Sequence, residues 1–276
     1  MTGHSNIRKS YVDGLYGQVH LHTAGQDSAS KPPLYLLHAT AYSGRTFLPL
    51  INKLSATRLV HAPDTPGYGG SDPPIDLPDI GGYANAFVDL VSKTTSPDSG
   101  PVDVVGYHTG VFIALEAATQ RPDLFRSIVI IGVPHFTGAQ REERRSVLAA
   151  QTELTEDFEQ FRERWDYFIR DRTPGLSLPR AFDCFVDELR AYPNQWWAHE
   201  ALFTYDTGSC LERVECPVLI LNPDSPLSEP SRQAAQILKN LELIELPSLS
   251  GAIFDLGPDL LQQEIERFLD RVDSKP

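Results

Sequence analysis

Gly106-Tyr107-His108-Thr109-Gly110 follows the apolar run Val102–Val105 and opens a helical pattern that ends near Gln120. Glycines two residues either side of one central residue are the spacing of a sharp strand-to-helix turn, which thrusts the central side chain outward. That residue is His108, an imidazole set where the first free amides of a helix favour negative charge. Such a group could serve as general base or acid, as nucleophile, or as a ligand contact. A second cluster, His38-Ala39-Thr40-Ala41-Tyr42, ends the apolar run Leu34–Leu37. Both turns fall at the carboxyl edge of strands, where α/β proteins form their ligand sites. Backbone amides near Thr40 and Thr109 are expected there to form an oxyanion hole. A third loop, Asp64 to Asp72, is dense in Pro and Gly and offers Tyr68. It reads as a fixed turn, because it lacks both the GK[ST] ending of a phosphate loop and a dinucleotide fingerprint.

Buried parallel strands must position these turns. Short continuous runs rich in Val, Ile and Leu recur at Leu34–Leu37, Arg58–Ala62, Val102–Val105, Ser127–Ile131 and Val218–Leu221, with a further strand at Leu241–Leu246. Two short strands meeting at Asp13-Gly14 precede them. Helices are predicted at Tyr83–Lys93 and Thr109–Gln120. A terminal amphipathic helix carries Leu260, Leu261, Ile265, Phe268, Leu269 and Val272 on one face. Alternating strands and crossover helices define an α/β sheet. The alternation breaks between Val133 and Val214, where helical segments carry Trp165, Trp196, Trp197 and other aromatics. An insertion at 135–213 is therefore expected to roof a core made of 1–134 and 214–276. Most of its rings should form its own small core, and at least two should reach a pocket.

The formal charge of −13 disfavours nucleic acid as a partner, because polyanion recognition needs a basic surface. No signal core and no long apolar span appear, so the reading is a cytoplasmic protein with no membrane partner. Cys184, Cys210 and Cys216 lack CxxC spacing and read as reduced thiols. His4, His20, His22, His61, His135 and His199 make no metal-ligand spacing, and no cofactor motif appears, so neither a metal nor a cofactor is expected.

Taken together, Leu36-Leu37-His38-Ala39, Ala62-Pro63-Asp64 through Asp72, Gly106–Gly110, Arg121-Pro122-Asp123 and Pro217–Asn222 resemble the α/β-hydrolase superfamily in its lidded form. The resemblance covers nearly the whole chain. It implies an α/β-hydrolase fold, a mostly parallel central sheet flanked by helices with a helical cap insertion. By resemblance, His108 occupies the place of a nucleophilic serine. The usual acid station falls at Asp224-Ser225, and the usual triad histidine falls at Gly251 in Ser248–Asp255. The alternative acid station reads Val133-Pro134-His135 and has no carboxylate. A serine-dependent relay therefore has little support.

The leading expectation is an enzyme acting on an activated small carbonyl compound by hydrolysis, carbon–carbon cleavage or cyclisation. His108 would be the base or acid, with Asp224 or Asp255 orienting it and Thr40, Thr109 and His38 around it. The missing bulk at Gly251-Ala252 would make room for the ring. The substrate would be an apolar small molecule with a carbonyl, touching Ala39, Tyr42, Tyr68, Tyr107, His135, Trp165, Trp196, Trp197 and Ile253. Direct attack by His108 is a second route, and a minor variant is a cofactor-free oxygenase. A non-catalytic small-molecule receptor on the same scaffold is the alternative, and a homodimer is left open.

Overall fold

In a computed structural model, residues 7–28, 31–148, 156–157 and 159–273 are described; His4 lies outside them. The eight strands are β1 (Arg8–Gly14), β2 (Gly17–Ala24), β3 (Leu34–Leu37), β4 (Val60–Pro63), β5 (Val102–Tyr107), β6 (Phe125–Ile131), β7 (Val218–Asp224) and β8 (Leu241–Ser250). They form one sheet in the order β1-β2-β4-β3-β5-β6-β7-β8. β1 pairs antiparallel with β2, and β2 with β4; every later pair is parallel.

The apolar runs form these strands because both faces of the sheet are covered. Val104, Ile128, Ile130 and Ile220 point to one face, against α2 (Ile80–Thr94) and α3 (Thr109–Gln120). Their neighbours Val105, Val129, Ile131, Leu219 and Leu221 point to the other, against α1 (Leu48–Leu54) and the C-terminal α11 (Pro258–Asp273). This is the period of two expected of a pleated strand. In α11 the expected face is the inner one: Leu261, Ile265, Phe268 and Leu269 are buried.

One strand starts later than its apolar run suggests. Arg58 lies outside β4, its guanidinium fully buried and donating to Asp103 at 3.1 Å. Asp103 also takes the Ser127 hydroxyl at 2.6 Å and the guanidinium of Arg126. A buried cation needs its anion, so Arg58 follows Asp103 and not the strand ladder.

Between β6 and β7 the chain leaves the sheet for α4 (Gly138–Leu148), α5 (Glu159–Trp165), α6 (Leu178–Arg190), α7 (Trp197–Phe203) and α8 (Thr207–Arg213). α9 (Ser228–Ala235) and α10 (Ile253–Leu256) follow β7 and β8. Phe168, Ile169, Ala181 and Phe185 form a small core within this helical cap. Polar ties hold the cap to the sheet domain. The Ser43 hydroxyl donates to Asp187 at 2.7 Å, Arg45 pairs with Asp183 and Asp187, and Arg180 forks onto Asp255 at 2.7 and 3.2 Å. No helix among the described residues is long and apolar enough to cross a membrane.

Candidate active site

The β5–α3 turn is built by glycines. A Cβ on Gly110 would sit 2.3 Å from the Leu37 carbonyl oxygen, and one on Gly106 would sit 2.7 Å from the Gly110 oxygen. The chain can therefore turn sharply against β3 only without side chains at those two positions. His108 takes the strain of the apex, with φ 51° and ψ −112°; among the described residues no other non-glycine has a positive φ. Its amide donates to the Ile131 carbonyl at 3.1 Å, which fixes the apex against β6.

The ring of His108 opens onto a cavity of about 320 Å³. Thr40, Tyr42, Tyr107, Ile253 and Asp255 line the same space, as the sequence led us to expect. Tyr167 and Phe168 are the two cap aromatics that reach it, in place of Trp165, Trp196 and Trp197, and Arg172, Thr173, Arg180, Cys184 and Phe254 join them without a signal in the sequence. The imidazole packs on Tyr107, centroids 4.1 Å apart. Burial holds its pKa down at about 4, and His199 on α7 adds electrostatic opposition, so the ring is neutral at pH 7.

Gly132 makes room for this ring. A Cβ there would lie 2.7 Å from Cδ2 and 2.9 Å from Nε2 of His108, and Gly132 itself has φ +64°. Gly132→Ala is expected to displace the imidazole and lower kcat/KM about 100-fold, since a misplacement near 1 Å costs that much. The accompanying loss of stability should stay near 1–2 kcal/mol, the cost of a Cβ in this backbone region. Wild-type turnover in Gly132→Ala would contradict this placement.

Several expected site residues do other work. His38 is a loop anchor: its Nε2 accepts the Thr65 amide at 2.9 Å, so Nδ1 carries the proton and donates to the Ala39 carbonyl at 2.9 Å. With both nitrogens used and the ring 2% exposed, it has no free atom for catalysis. Ala39 is buried beside it and does not line the cavity. The Thr40 amide is not free for an oxyanion, because it donates to Thr109 Oγ1 at 2.8 Å, and the two threonine hydroxyls are also 2.8 Å apart.

Asp224 is exposed and belongs to a separate cleft with Ser225, Glu229 and Arg232, so it does not orient His108. Asp255 shares the cavity, but both its oxygens are held by Arg180. Nor is Gly251 a vacant place for the ring. A Cβ there would meet Thr173 Oγ1 at 2.4 Å, so the cap fills that space.

Tyr68 clamps the cap and lies outside the cavity: its hydroxyl accepts the Ala198 amide at 2.9 Å and donates to the Gln195 carbonyl at 3.5 Å. That clamp pins the turn carrying Trp196 and Trp197, neither of which lines the cavity. Trp165 packs edge-on to Phe185, centroids 5.5 Å apart, inside the cap. His135 Nδ1 pairs with the Thr207 hydroxyl at 2.8 Å, away from the cavity.

The structure also gathers His20, His22 and Asp64, whose ligand-type atoms lie within 4.8 Å of one another, a grouping the linear spacing did not reveal. Asp64 is already engaged: Oδ1 takes the Gly44 amide at 2.7 Å, and Oδ2 takes the Gly70 amide at 2.8 Å and His20 Nδ1 at 2.9 Å. It thereby closes its own loop through Gly70 and ties it to the loop at Gly44 and to His20 on β2. His22, 1% exposed, has no hydrogen-bond partner for either ring nitrogen among the described residues. Leaving buried polar atoms unpaired costs about 1–3 kcal/mol. His22→Leu is therefore expected to raise stability by about 1 kcal/mol in thermal unfolding; a fall would show that the imidazole has a partner.

The sheet order, the elbow at His108 and the roofing helices together define a class, and the chain belongs to the alpha/beta hydrolase family, whose model matches residues 34–258. Among curated proteins it is similar to the pimeloyl-[acyl-carrier protein] methyl ester esterase of Xanthomonas campestris pv. campestris, 32% identical over 109 residues. That stretch covers 38% of this chain and 38% of the esterase. Solved structures similar in fold include a thermophilic esterase from Thermogutta terrifontis, with TM-score 0.75, 17% identity and coverage of 96% of this chain and 99% of that one. A hydrolase from Pseudomonas aeruginosa PA01 aligns with TM-score 0.76 and 16% identity, covering 98% of this chain and 99% of its own.

Proposed function

We propose that this protein is a cofactor-independent enzyme that acts on an activated small carbonyl compound, with His108 as the general base. The observation that carries this reading is an imidazole kept neutral by burial at a strained strand–helix apex and opening onto a cavity beneath the cap. A base whose pKa is about 4 removes only an acidic proton efficiently, since proton transfer follows the difference in pKa. The substrate is thus already activated: a β-dicarbonyl, an enol ester or a reactive polyketide. Carbon–carbon cleavage and cyclisation can begin with loss of an acidic proton, and in hydrolysis the weak base takes the proton of water only as the water adds to the activated carbonyl.

As the proton moves to His108, the imidazolium forms beside the enolate or oxyanion it creates, so each charge offsets the cost of burying the other. The Thr109 amide, first in α3, has no carbonyl four residues back and is the natural donor to that oxygen. The Thr40 hydroxyl, which lines the cavity and is held by the Thr109 hydroxyl at 2.8 Å, takes the place of the second amide of the expected pair. A serine relay plays no part in this reading: the apex is His108, and the pocket carboxylate Asp255 is engaged by Arg180.

One observation favours the receptor alternative: among the described residues no side chain hydrogen-bonds the His108 ring to orient it. An unbiased metabolite screen separates the two. Turnover by native protein that disappears in His108→Ala supports the enzyme; saturable binding without conversion supports the receptor.

A further inference from the structure

The wall of the cavity supplied jointly by the cap and the sheet domain is made of donors. Tyr42 follows β3 and Tyr107 ends β5, while Tyr167, Arg172 and Cys184 come from the cap. The hydroxyls of Tyr42 and Tyr107 make no hydrogen bond to a described residue, yet neither is sealed off from the cavity. Burial raises both phenols, and charge on Tyr167 or Cys184 would raise them further, so both stay protonated near neutral pH and offer O–H groups.

Arg172 adds charge. Its Nε donates to the Leu176 carbonyl at 3.1 Å and its Nη1 to the Ile169 carbonyl at 2.7 Å, which fixes the guanidinium in place. No carboxylate among the described residues lies within 4.0 Å of it, whereas Arg180 on the same wall is neutralised by Asp255. Asp171, the remaining charged residue on the wall, is solvent-exposed. In a chain of net charge −13, an ordered arginine without an acidic partner within ion-pair distance, lining a cavity, is a local focus for an anion. Phe168, Leu176, Ile253 and Phe254 supply apolar faces beside these donors.

We infer that this wall binds the oxyanion end, carboxylate, phenolate or enolate, of a flat one- or two-ring substrate. Arg172 supplies the charge, and the Tyr42 and Tyr107 hydroxyls supply direction. The inference rests on the cavity being the substrate site, and it deepens the catalytic reading by naming the substrate class. A substrate held this way has its oxyanion between Arg172 of the cap and the two tyrosines of the sheet domain, and its reacting carbonyl faces His108.

The test is calorimetric binding of 2-naphthoate and its neutral counterpart 2-naphthamide at pH 7. Native protein should bind the naphthoate about 10- to 100-fold more tightly than the amide, the range of a charge-assisted hydrogen bond. Arg172→Gln should abolish that preference and leave amide affinity within about 3-fold. Tyr107→Phe and Tyr42→Phe, which disturb no hydrogen bond to a described residue, should each weaken naphthoate about 5- to 10-fold. His108→Ala should keep the preference. Equal affinity for the two probes, binding of neither, or a preference that survives Arg172→Gln would overturn the inference. Selective binding together with an absence of turnover in the metabolite screen would leave this inference standing and remove the catalytic one.

Discussion

Replacing His108 with Ala or Asn is expected to lower kcat/KM by about 10²–10⁴-fold, the usual contribution of a positioned base. The effect should fall on kcat, because the ring acts on the proton in flight while the walls of Tyr42, Tyr107 and Arg172 keep the substrate in place. Asn tolerates a positive φ better than most residues, so His108→Asn separates loss of the base from any effect on the strained apex. The pH profile carries the second half of this result. The active form is the neutral ring, which is present above its pKa of about 4 and lost below it. Activity should therefore stay flat from pH 8 down to the point where the fold itself fails. An acid limb near pH 6.5, the value of an exposed imidazole, would show that burial does not hold the ring down; a limb there that persists in His108→Asn would show that His108 is not the base. A variant with unchanged kcat/KM on an identified substrate would remove the mechanism altogether.

Stability should collapse on mild acidification, between about pH 6 and 4. His22, His61, His108 and His199 are each held near pKa 4 by burial, against about 6.5 for a free imidazole. The sign follows from linkage. With folded pKa values depressed, the unfolded chain binds more protons in this window, so stability is fully present above pH 6.5 and is lost as pH falls toward 4. Each ring contributes a slope approaching about 1.4 kcal/mol per pH unit within the window, on the order of 2 kcal/mol by pH 5. Four rings together are comparable with the whole stability of a typical domain, roughly 5–15 kcal/mol. The buried carboxyls of Asp187 and Glu188, raised by burial, work the other way and soften the loss. Thermal unfolding followed from pH 7.5 to 4.5 should show Tm falling steeply below pH 6, and His22→Leu should make that fall shallower. A Tm that is level from pH 7 to 5 would contradict the burial of these rings.

The elbow was legible because its determinants are local. Two glycines around His108, an apolar run before it and a helical pattern after it specify a strand–turn–helix whatever the rest of the chain does. The same holds for β3, β5, β6 and β7, whose continuous burial leaves an unbroken apolar run in the sequence. Helix α3 fell at its expected limits, Thr109 and Gln120, for the same reason. β4 was read two residues early because Arg58 answers to Asp103, 45 residues away. Tyr42, Tyr107 and Ile253 were found because they lie at or just beyond the carboxyl ends of strands, the edge where the cavity forms, although His38, Ala39 and Asp224 share that placement and do not line it.

What could not be read was which partner each polar group takes. His38 and His108 are both imidazoles after a central strand, yet the Thr65 amide captures one and a cavity opens before the other. Asp255 was well placed to orient His108 until Arg180, 75 residues earlier and on the cap, took both its oxygens. Thr173 filled the space above Gly251, and Gly132 opened the space the ring uses. Arg172 and Tyr167 lie in a cap stretch whose pattern shows no distinction between inward and outward rings. By itself, then, the sequence determined the sheet, its crossover helices and an imidazole at the apex of the turn, because short-range backbone geometry and apolar periodicity are written in neighbouring residues. Only the tertiary structure decided which groups surround that imidazole, because those contacts join residues far apart in the chain and depend on how the cap packs against the sheet.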